Sequence, residues 1–205
     1  MMRSFERSFV VGLLALGALL VGVPATTVAQ SDKGASGTET YKLDPVHSQI
    51  LLRASHMDIG LYFVQIPQVT GTIEYNKDDP TKNSVTIEAD ATTIESHYKK
   101  RTKHLKSPDF LNVKKYPTLT FESTSVEKVG ENTFEVSGDL TVAGTTKPIT
   151  IDVEEVGSGK GPDGNLRRGF YTEFEVNRLD FGVDWKPSVV GKNIRVILAF
   201  EAVRQ

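Results

Sequence analysis

Alternation of apolar and polar residues with a period of two is the feature that most restricts how this chain can fold. Val69, Gly71 and Ile73, for example, alternate with Thr70 and Thr72. Successive side chains of a β-strand point to opposite faces of a sheet, so this period predicts strands with one apolar face each. The pattern returns in eight segments, within 50–54, 69–75, 85–91, 119–121, 134–142, 149–153, 170–176 and 194–202.

The spacing of these segments predicts an all-β fold with antiparallel strands. Turn-forming sequences such as KVGEN, VAGTTKP and GSGKGPDGN separate them, and most of the predicted strands approach about ten residues. Eight strands with short connections form an up-and-down barrel or a two-sheet sandwich, and the strand length favours the barrel. Pro67 stands inside the strand pattern FVQIPQV, which predicts a bulge or an edge position with a local bend.

One segment, residues 94–113, interrupts the alternation between the third and fourth predicted strands. His97, Arg101 and His104 follow one another at helical spacing there, and Ser96 is the expected N-cap. The sequence therefore predicts a single helix inserted between strands 3 and 4.

The N-terminus has the layout of a targeting segment. MMRSFERSF carries two arginines, and the uncharged run VVGLLALGALLVGV and the small residues of PATTVAQ follow it. This predicts a signal peptide over residues 1–29, and hence a periplasmic or secreted protein, with a retained anchor as the alternative. We expect residues 30–40 to be a flexible lead-in and residues 41–205 to form one domain. That domain relies on its core, because the chain has no cysteine.

The composition and motifs give little support to nucleic-acid binding, metal binding or catalysis. A net charge of −2 provides no electrostatic reason to bind nucleic acid. His97 and His104 lie too far apart on a helix to share one metal ion, so no metal site is predicted. The sequence lacks a GxSxG motif and any cysteine nucleophile, and we predict no catalytic residues. An enzyme acting on a lipid or quinone precursor remains the alternative, with His47, His56 or His104 as its acid or base.

A cationic run, KKRTKHLK, covers residues 99–106. Such a run is typical of a solvated helix face. The functional alternative is a basic collar at the mouth of a barrel, where Arg101, His104 and Lys106 would hold an anionic head group.

Five segments in order resemble those of a known family. They are DPVHS at 44–48, HLKSPDF at 104–110, YPTLTFES at 116–123, GDLTVAGTTKP at 138–148 and NRLDFG at 177–182. Together they resemble the YceI-like family of exported lipid-binding proteins. The resemblance implies an eight-stranded antiparallel lipocalin-like barrel with an inserted helix at its opening. It also implies a bound isoprenoid quinone, polyprenyl or fatty-acyl ligand and no cofactor.

An eight-stranded barrel has an interior that is either filled by side chains or able to hold one small ligand. Small inward residues favour the hollow form and large aromatic residues the filled form. For a hollow barrel we expect these ligand-binding residues: Ile50, Leu52, Ile73, Phe110, Phe121, Phe174, Phe181, Trp185 and Phe200. The loop 177–193 would either cap the barrel or plug its core.

The predicted function is periplasmic binding, transport or storage of a long-chain lipid, without turnover. Its partner is a hydrophobic small molecule. A transient membrane contact and a homodimer are both compatible with this interpretation. Besides the enzyme, a second alternative to lipid binding is a stress-related interaction protein with a solid core.

Overall fold

The computed structural model describes residues 37–205 as ten antiparallel strands and one α-helix. The predicted signal peptide, 1–29, lies outside the described residues, as does most of the predicted lead-in. The strands are β1 (Glu39–Leu43), β2 (Gln49–His56), β3 (Gly60–Ile66), β4 (Val69–Tyr75), β5 (Ser84–Asp90), β6 (Thr118–Lys128), β7 (Thr133–Val142), β8 (Thr145–Lys160), β9 (Leu166–Asn177) and β10 (Asn193–Arg204). The helix α1 is Lys99–Leu105.

The sheet closes on itself to form the predicted eight-stranded barrel. Its strand order is β1-β4-β5-β6-β7-β8-β9-β10-β2-β3, and β1 also pairs with β10. Strands β1 and β2 are two halves of one barrel strand, because both pair with β10, one after the other along its length. In the same way β3 and β4 are two halves of the next strand, since they pair with β2 and β1. Counting each pair of halves once leaves eight strands around the barrel.

The two divided strands are broken at different residues. β3 ends at Ile66 and β4 begins at Val69, so the bend predicted at Pro67 lies between them. Residues 44–48 separate β1 from β2. The sequence did not predict β1, whose first two residues, Glu39 and Thr40, fall within the range expected to be a lead-in.

Helix α1 lies between β5 and β6, which are the third and fourth strands around the barrel. It is shorter at its N-terminus than the sequence predicted. Tyr98 occupies the N-cap and makes no side-chain capping bond, and His97 has a left-handed backbone with a φ of 57°. The Ser96 hydroxyl contacts the hydroxyl of Thr102 at 2.9 Å, so the prediction of Ser96 as N-cap was wrong.

The connections divide between the two ends of the barrel. The hairpin turn 57–59, the insertion 91–117, the turn 143–144 and the loop 178–192 lie at one end, here called the helix end. The connections at 76–83, 129–132 and 161–165 lie at the other end, here called the far end.

A barrel that closes around its own apolar core has what a domain needs to fold by itself. The core of residues 37–205 contains the inward side chains of nearly every strand, among them Val64, Ile87, Phe121, Phe170 and Phe200. Within the described residues, no helix is both long enough and apolar enough to span a bilayer.

Candidate ligand cavity and its mouth

The barrel encloses a cavity of about 240 Å³. This volume is close to the lower limit of typical ligand pockets. Eight of the nine predicted ligand-binding residues line it: Ile50, Leu52, Ile73, Phe110, Phe121, Phe174, Phe181 and Phe200. Trp185 is not among the lining residues and lies nearer the surface. The sequence left a hollow and a filled interior open, and the structure has the hollow form.

The volume comes from small or widely spaced side chains on the inward faces. Ala54 and Ala89 are inward positions without bulk. Phe174 and Ile194 belong to the inward faces of β9 and β10, yet they stay partly accessible because they face the cavity. A filled core would have covered these side chains at the packing density of protein interiors.

One aromatic ring of the cavity wall depends on a glycine. A Cβ atom added at Gly138 would lie 2.6 Å from Cζ of Phe121 and 2.5 Å from the carbonyl oxygen of Glu122. Both distances are well below van der Waals contact. Gly138 therefore leaves the space in which the ring of Phe121 lies against β7.

Arg178 is a buried cation in this mostly apolar wall. It is only 6% exposed, and burial lowers the pKa of its guanidinium. Nε donates to the carbonyl of Gly191 at 2.9 Å, and Nη2 donates to those of Trp185 at 3.0 Å and Val190 at 2.6 Å. Nη1 donates to the carbonyl of Val183. The guanidinium thereby holds the loop 178–192 in place.

The loop that Arg178 holds forms part of the cavity wall. Phe181, Val183 and Val190 are buried and line the cavity. The sequence singled out this loop as a cap or a plug, and it acts as a wall over one end of a hollow interior. Sequence reasoning missed Arg178 itself, because its role depends on carbonyl groups whose positions the sequence does not reveal.

A surface recess at the helix end leads towards the cavity. It lies between the β2–β3 hairpin, helix α1 and the loop 178–192. Tyr62, Leu105, Phe110 and Val190 line both the recess and the cavity. These shared side chains mark the mouth of the barrel. Tyr62 and Leu105 were not among the predicted ligand-binding residues.

An aromatic cluster forms one side of the mouth. The ring centroid of His104 lies 4.9 Å from that of Phe110 and 4.7 Å from that of Trp185, both nearly perpendicular. The Nε2 atom of His104 is 2.7 Å from Oδ2 of Asp109. The predicted head-group residue His104 and the predicted ligand-binding residue Trp185 thus meet in the recess.

Arg101 also lines the recess, from the same helix as His104. Its guanidinium stacks over Tyr62, 4.9 Å from the ring centroid, and Nη2 donates to the carbonyl of Ser96 at 2.7 Å. Its Nε atom is buried and has no hydrogen-bond partner. Within the described residues Arg101 forms no ion pair, so no carboxylate neutralises its charge in the recess. Lys106, the third predicted head-group residue, does not line the recess.

One other cluster of titratable side chains has ligand atoms spaced closely enough to hold a metal ion. Ligand atoms of Asp44, His47 and Glu201 lie within 4.8 Å of one another on the outside of the barrel. Nη1 of Arg167 is 2.7 Å from Oδ2 of Asp44 and 3.4 Å from Oε2 of Glu201. A guanidinium already neutralises these carboxylates, so the cluster is better described as an ion-pair network.

This chain is similar to known proteins both in sequence and in fold. A family model described as a YceI-like domain matches residues 41–202. Protein YceI of Escherichia coli O17:K52:H18 is 32% identical over 174 residues, covering 84% of this chain and 91% of that protein. BcnA of Burkholderia cenocepacia superposes with a TM-score of 0.71 at 18% identity, over 78% of this chain and 98% of BcnA.

A second solved structure is similar in fold. It is described as a polyisoprenoid binding domain from Saccharophagus degradans implicated in plant cell wall breakdown. It superposes with a TM-score of 0.63 at 13% identity, over 80% of this chain and 98% of that domain. At these identities the two solved structures support the fold alone.

Proposed function

Because the chain belongs to the YceI-like family, we propose that its barrel binds an isoprenoid or another long-chain amphiphilic lipid. The observation that carries this proposal is the apolar cavity of about 240 Å³ that meets a recess lined by the cation of Arg101, which has no ion-pair partner among the described residues. Burial of each methylene contributes about 0.8 kcal/mol, so an apolar tail of modest length offsets the cost of association. The Saccharophagus domain, a polyisoprenoid binding domain of the same fold, is a precedent for this ligand class in such a barrel.

The proposed ligand enters through the recess, tail first. Its tail occupies the cavity, between the inward faces of the strands and the loop 178–192. Its polar head group stays in the recess, near Arg101 and His104. Lys106 contributes positive charge at longer range only, because it lies outside the recess lining.

The proposed role is binding, transport or storage rather than turnover. The two buried polar side chains of the cavity wall, Thr172 and Arg178, both donate to backbone carbonyls. They are therefore engaged in holding the wall. We place this role in the periplasm or outside the cell, because residues 1–29 have the layout of a signal peptide.

Native mass spectrometry of purified residues 30–205, followed by organic extraction and lipid analysis, tests the proposal. We expect an added mass that extracts as an isoprenoid or acyl species. A mass equal to that of the polypeptide, together with no uptake of an added quinone or fatty acid, would refute lipid binding.

A further inference from the structure

A patch of exposed apolar side chains lies on one side of the mouth of the barrel. It comprises Met57, Ile59, Leu61 and Phe63 of the β2–β3 hairpin together with Tyr98 before helix α1. Their exposed fractions are 48% for Met57, 84% for Ile59, 62% for Leu61, 52% for Phe63 and 55% for Tyr98. Of the eight large hydrophobic residues that are exposed in the described part of the chain, these are five. Such clustering marks an interaction surface rather than scattered exposure.

The hairpin carries this patch on its outward face. Along β3, Tyr62 and Val64 line the cavity, while Leu61 and Phe63 alternate with them and face solvent. One edge of β3 pairs with β2, and the other has a single bridge, from Gln65 to Glu95, among the described residues. The hairpin therefore projects at the helix end with an apolar face and a largely free edge.

Cationic side chains lie beside the patch. Residues 97–106 contain five lysines and arginines and no acidic residue. Lys99, Lys100 and Lys103 are exposed, and none of them forms an ion pair within the described residues. Lys100 and Tyr98 line the recess together with Leu61 of the hairpin, so Lys100 shares a face with these apolar side chains. Lys99 and Lys103 belong to the same short helix.

The nearby acidic groups are engaged in local contacts. Glu95 accepts hydrogen bonds from the backbone N–H groups of Ser96 and His97. Asp109 is paired with His104, and Asp58, in the hairpin turn, accepts from the hydroxyl of Ser55 at 3.4 Å. These carboxylates keep their charge, but among the described residues none of them forms an ion pair with Lys99, Lys100 or Lys103.

We propose that this face docks on the surface of an anionic phospholipid bilayer. Apolar side chains at the hairpin insert at the level of the head groups, and the lysines of α1 contact the lipid phosphates. Docking brings the mouth of the barrel against the bilayer. The biological purpose of this contact, exchange of cargo with a membrane, rests on the proposed lipid-binding function, but the contact itself does not.

A second copy of the chain fits the same face less well. A symmetric dimer places the same patch on both subunits. The two cationic helices would then meet at one interface, where like charges repel. An anionic bilayer offers an apolar region to the hairpin side chains and negative charge to the lysines of α1.

Flotation with phospholipid vesicles tests the proposal, using residues 30–205 so that the apolar N-terminal run does not contribute. We expect binding to phosphatidylcholine vesicles that contain phosphatidylglycerol, weak binding to pure phosphatidylcholine, and loss of binding as salt rises from about 0.02 M to about 0.5 M. The double variant Lys99→Gln with Lys103→Gln should bind about 25-fold more weakly, since each lysine near an anionic surface contributes about fivefold.

Three further double variants separate the apolar and the charge contributions from general surface effects. Ile59→Ser with Phe63→Ser should weaken vesicle binding by about tenfold or more. Val129→Ser with Val156→Ser, which removes exposed apolar side chains elsewhere on the barrel, should leave binding unchanged. Lys128→Gln with Lys160→Gln is the matched charge control. Equal binding by the hairpin variant and the wild type would overturn the proposal.

Probe uptake distinguishes a failure of membrane docking from a failure of the proposed lipid binding. Uptake of an apolar fluorescent probe, measured without vesicles, should be the same for the wild type and both docking variants, because none of the four substituted residues lines the recess or the cavity. Probe uptake without vesicle binding would refute docking and leave lipid binding intact. A wild-type dimer that Phe63→Ser dissociates, with no vesicle binding, would assign the face to a second copy instead.

Discussion

Arg178 buries a guanidinium in the wall of an apolar cavity, and its partners are carbonyl oxygens of the loop 178–192. An arginine stays charged even when burial lowers its pKa. The backbone dipoles of the loop therefore have to stabilise this charge. Removing the side chain would leave several buried carbonyls without a donor, which is costly.

We expect Arg178→Met to lower the stability by about 3 kcal/mol, which corresponds to a melting temperature about 6–12 °C lower. Differential scanning calorimetry measures this shift. Arg195→Met is the matched control, because Arg195 forms a partly exposed pair with Glu173 and such pairs contribute about 1 kcal/mol or less. An equal loss in both variants would contradict the role assigned to Arg178.

Ala89 offers a test of whether the cavity is the binding site. It faces the cavity and is 1% exposed. Ala89→Phe should fill part of the empty space and abolish uptake of an apolar probe, while the melting temperature changes little. If the interior were solid in solution, the same substitution would cost about 1–3 kcal/mol through overpacking. Undiminished uptake by a folded Ala89→Phe variant would show that the ligand binds elsewhere.

Arg101 should distinguish ligands by the charge of their head groups. A hydrogen bond to a charged group contributes about 1.5–3 kcal/mol, so Arg101→Gln should weaken binding of a fatty acid by roughly tenfold to 100-fold. Binding of the corresponding fatty alcohol should change much less. Isothermal titration calorimetry compares the two ligands. Lys106→Gln serves as the control, because Lys106 lies outside the recess. A similar loss of fatty-acid affinity in this control would mean that the overall positive charge, and not a contact with Arg101, holds the head group.

At the scale of the elements, the eight barrel strands and the inserted helix could be predicted from the sequence, because both depend on local periodicity. The division of two strands could be predicted only in part. Pro67 signals its break through the missing N–H, whereas the break at 44–48 depends on contacts with Glu201 and Arg167, distant in sequence. The N-terminus of α1 was misplaced because Ser96 bonds Thr102 instead of capping.

The break at 44–48 should make the stability of the barrel depend on pH. The hydrogen bond from His47, followed by that from Arg167, lowers the pKa of Asp44. The same contact with Asp44 raises the pKa of His47. The contribution of His47 to the stability of the fold is therefore complete below its unfolded pKa of about 6.5. This contribution is lost as the pH rises through the folded pKa of His47. The contribution of Asp44 is present above about pH 3.9 and is lost as the pH falls through its lowered pKa.

We expect His47→Gln to lower the melting temperature at about pH 5.5 and to have a smaller effect at about pH 9, where the imidazole is neutral. Thermal unfolding at both pH values measures the difference. Asp44→Asn should lower the melting temperature at both, because it also removes the partner of Arg167. A loss for His47→Gln that is equal at the two pH values would exclude the charged pair as its cause.

At the scale of the whole molecule, the two ends of the barrel differ in character. The helix end has the recess, the aromatic cluster and free cations. At the far end Arg168 lies between Tyr75, 3.8 Å from its ring centroid, and Glu155, with a hydrogen bond of 2.5 Å. Tyr41 accepts a bond from Nε of Arg168 at 3.1 Å. Sequence periodicity placed inward side chains on each strand, but it could not identify which of them meet across the barrel end.

This asymmetry leads to a prediction about ligand length. A strand of about ten residues, tilted by about 45°, spans only about 23 Å of barrel height. With the Arg168 network across the far end, a long tail must fold back or protrude through the recess. Affinity should therefore rise steeply from geranyl to farnesyl chains bearing the same head group, by about 0.8 kcal/mol per buried methylene, and then level off. Competition against a fluorescent apolar probe measures this series.

The far-end network supplies the control for the length series. Replacing Arg168 and Glu155 together by Met and Leu removes both charges without leaving either one buried alone, so the double variant should fold. If the network closes the far end, affinity in this variant should level off at a longer chain than in the wild type. An affinity that keeps rising with chain length in the wild type would mean that the tail passes through the far end, and that the cavity is an open tunnel.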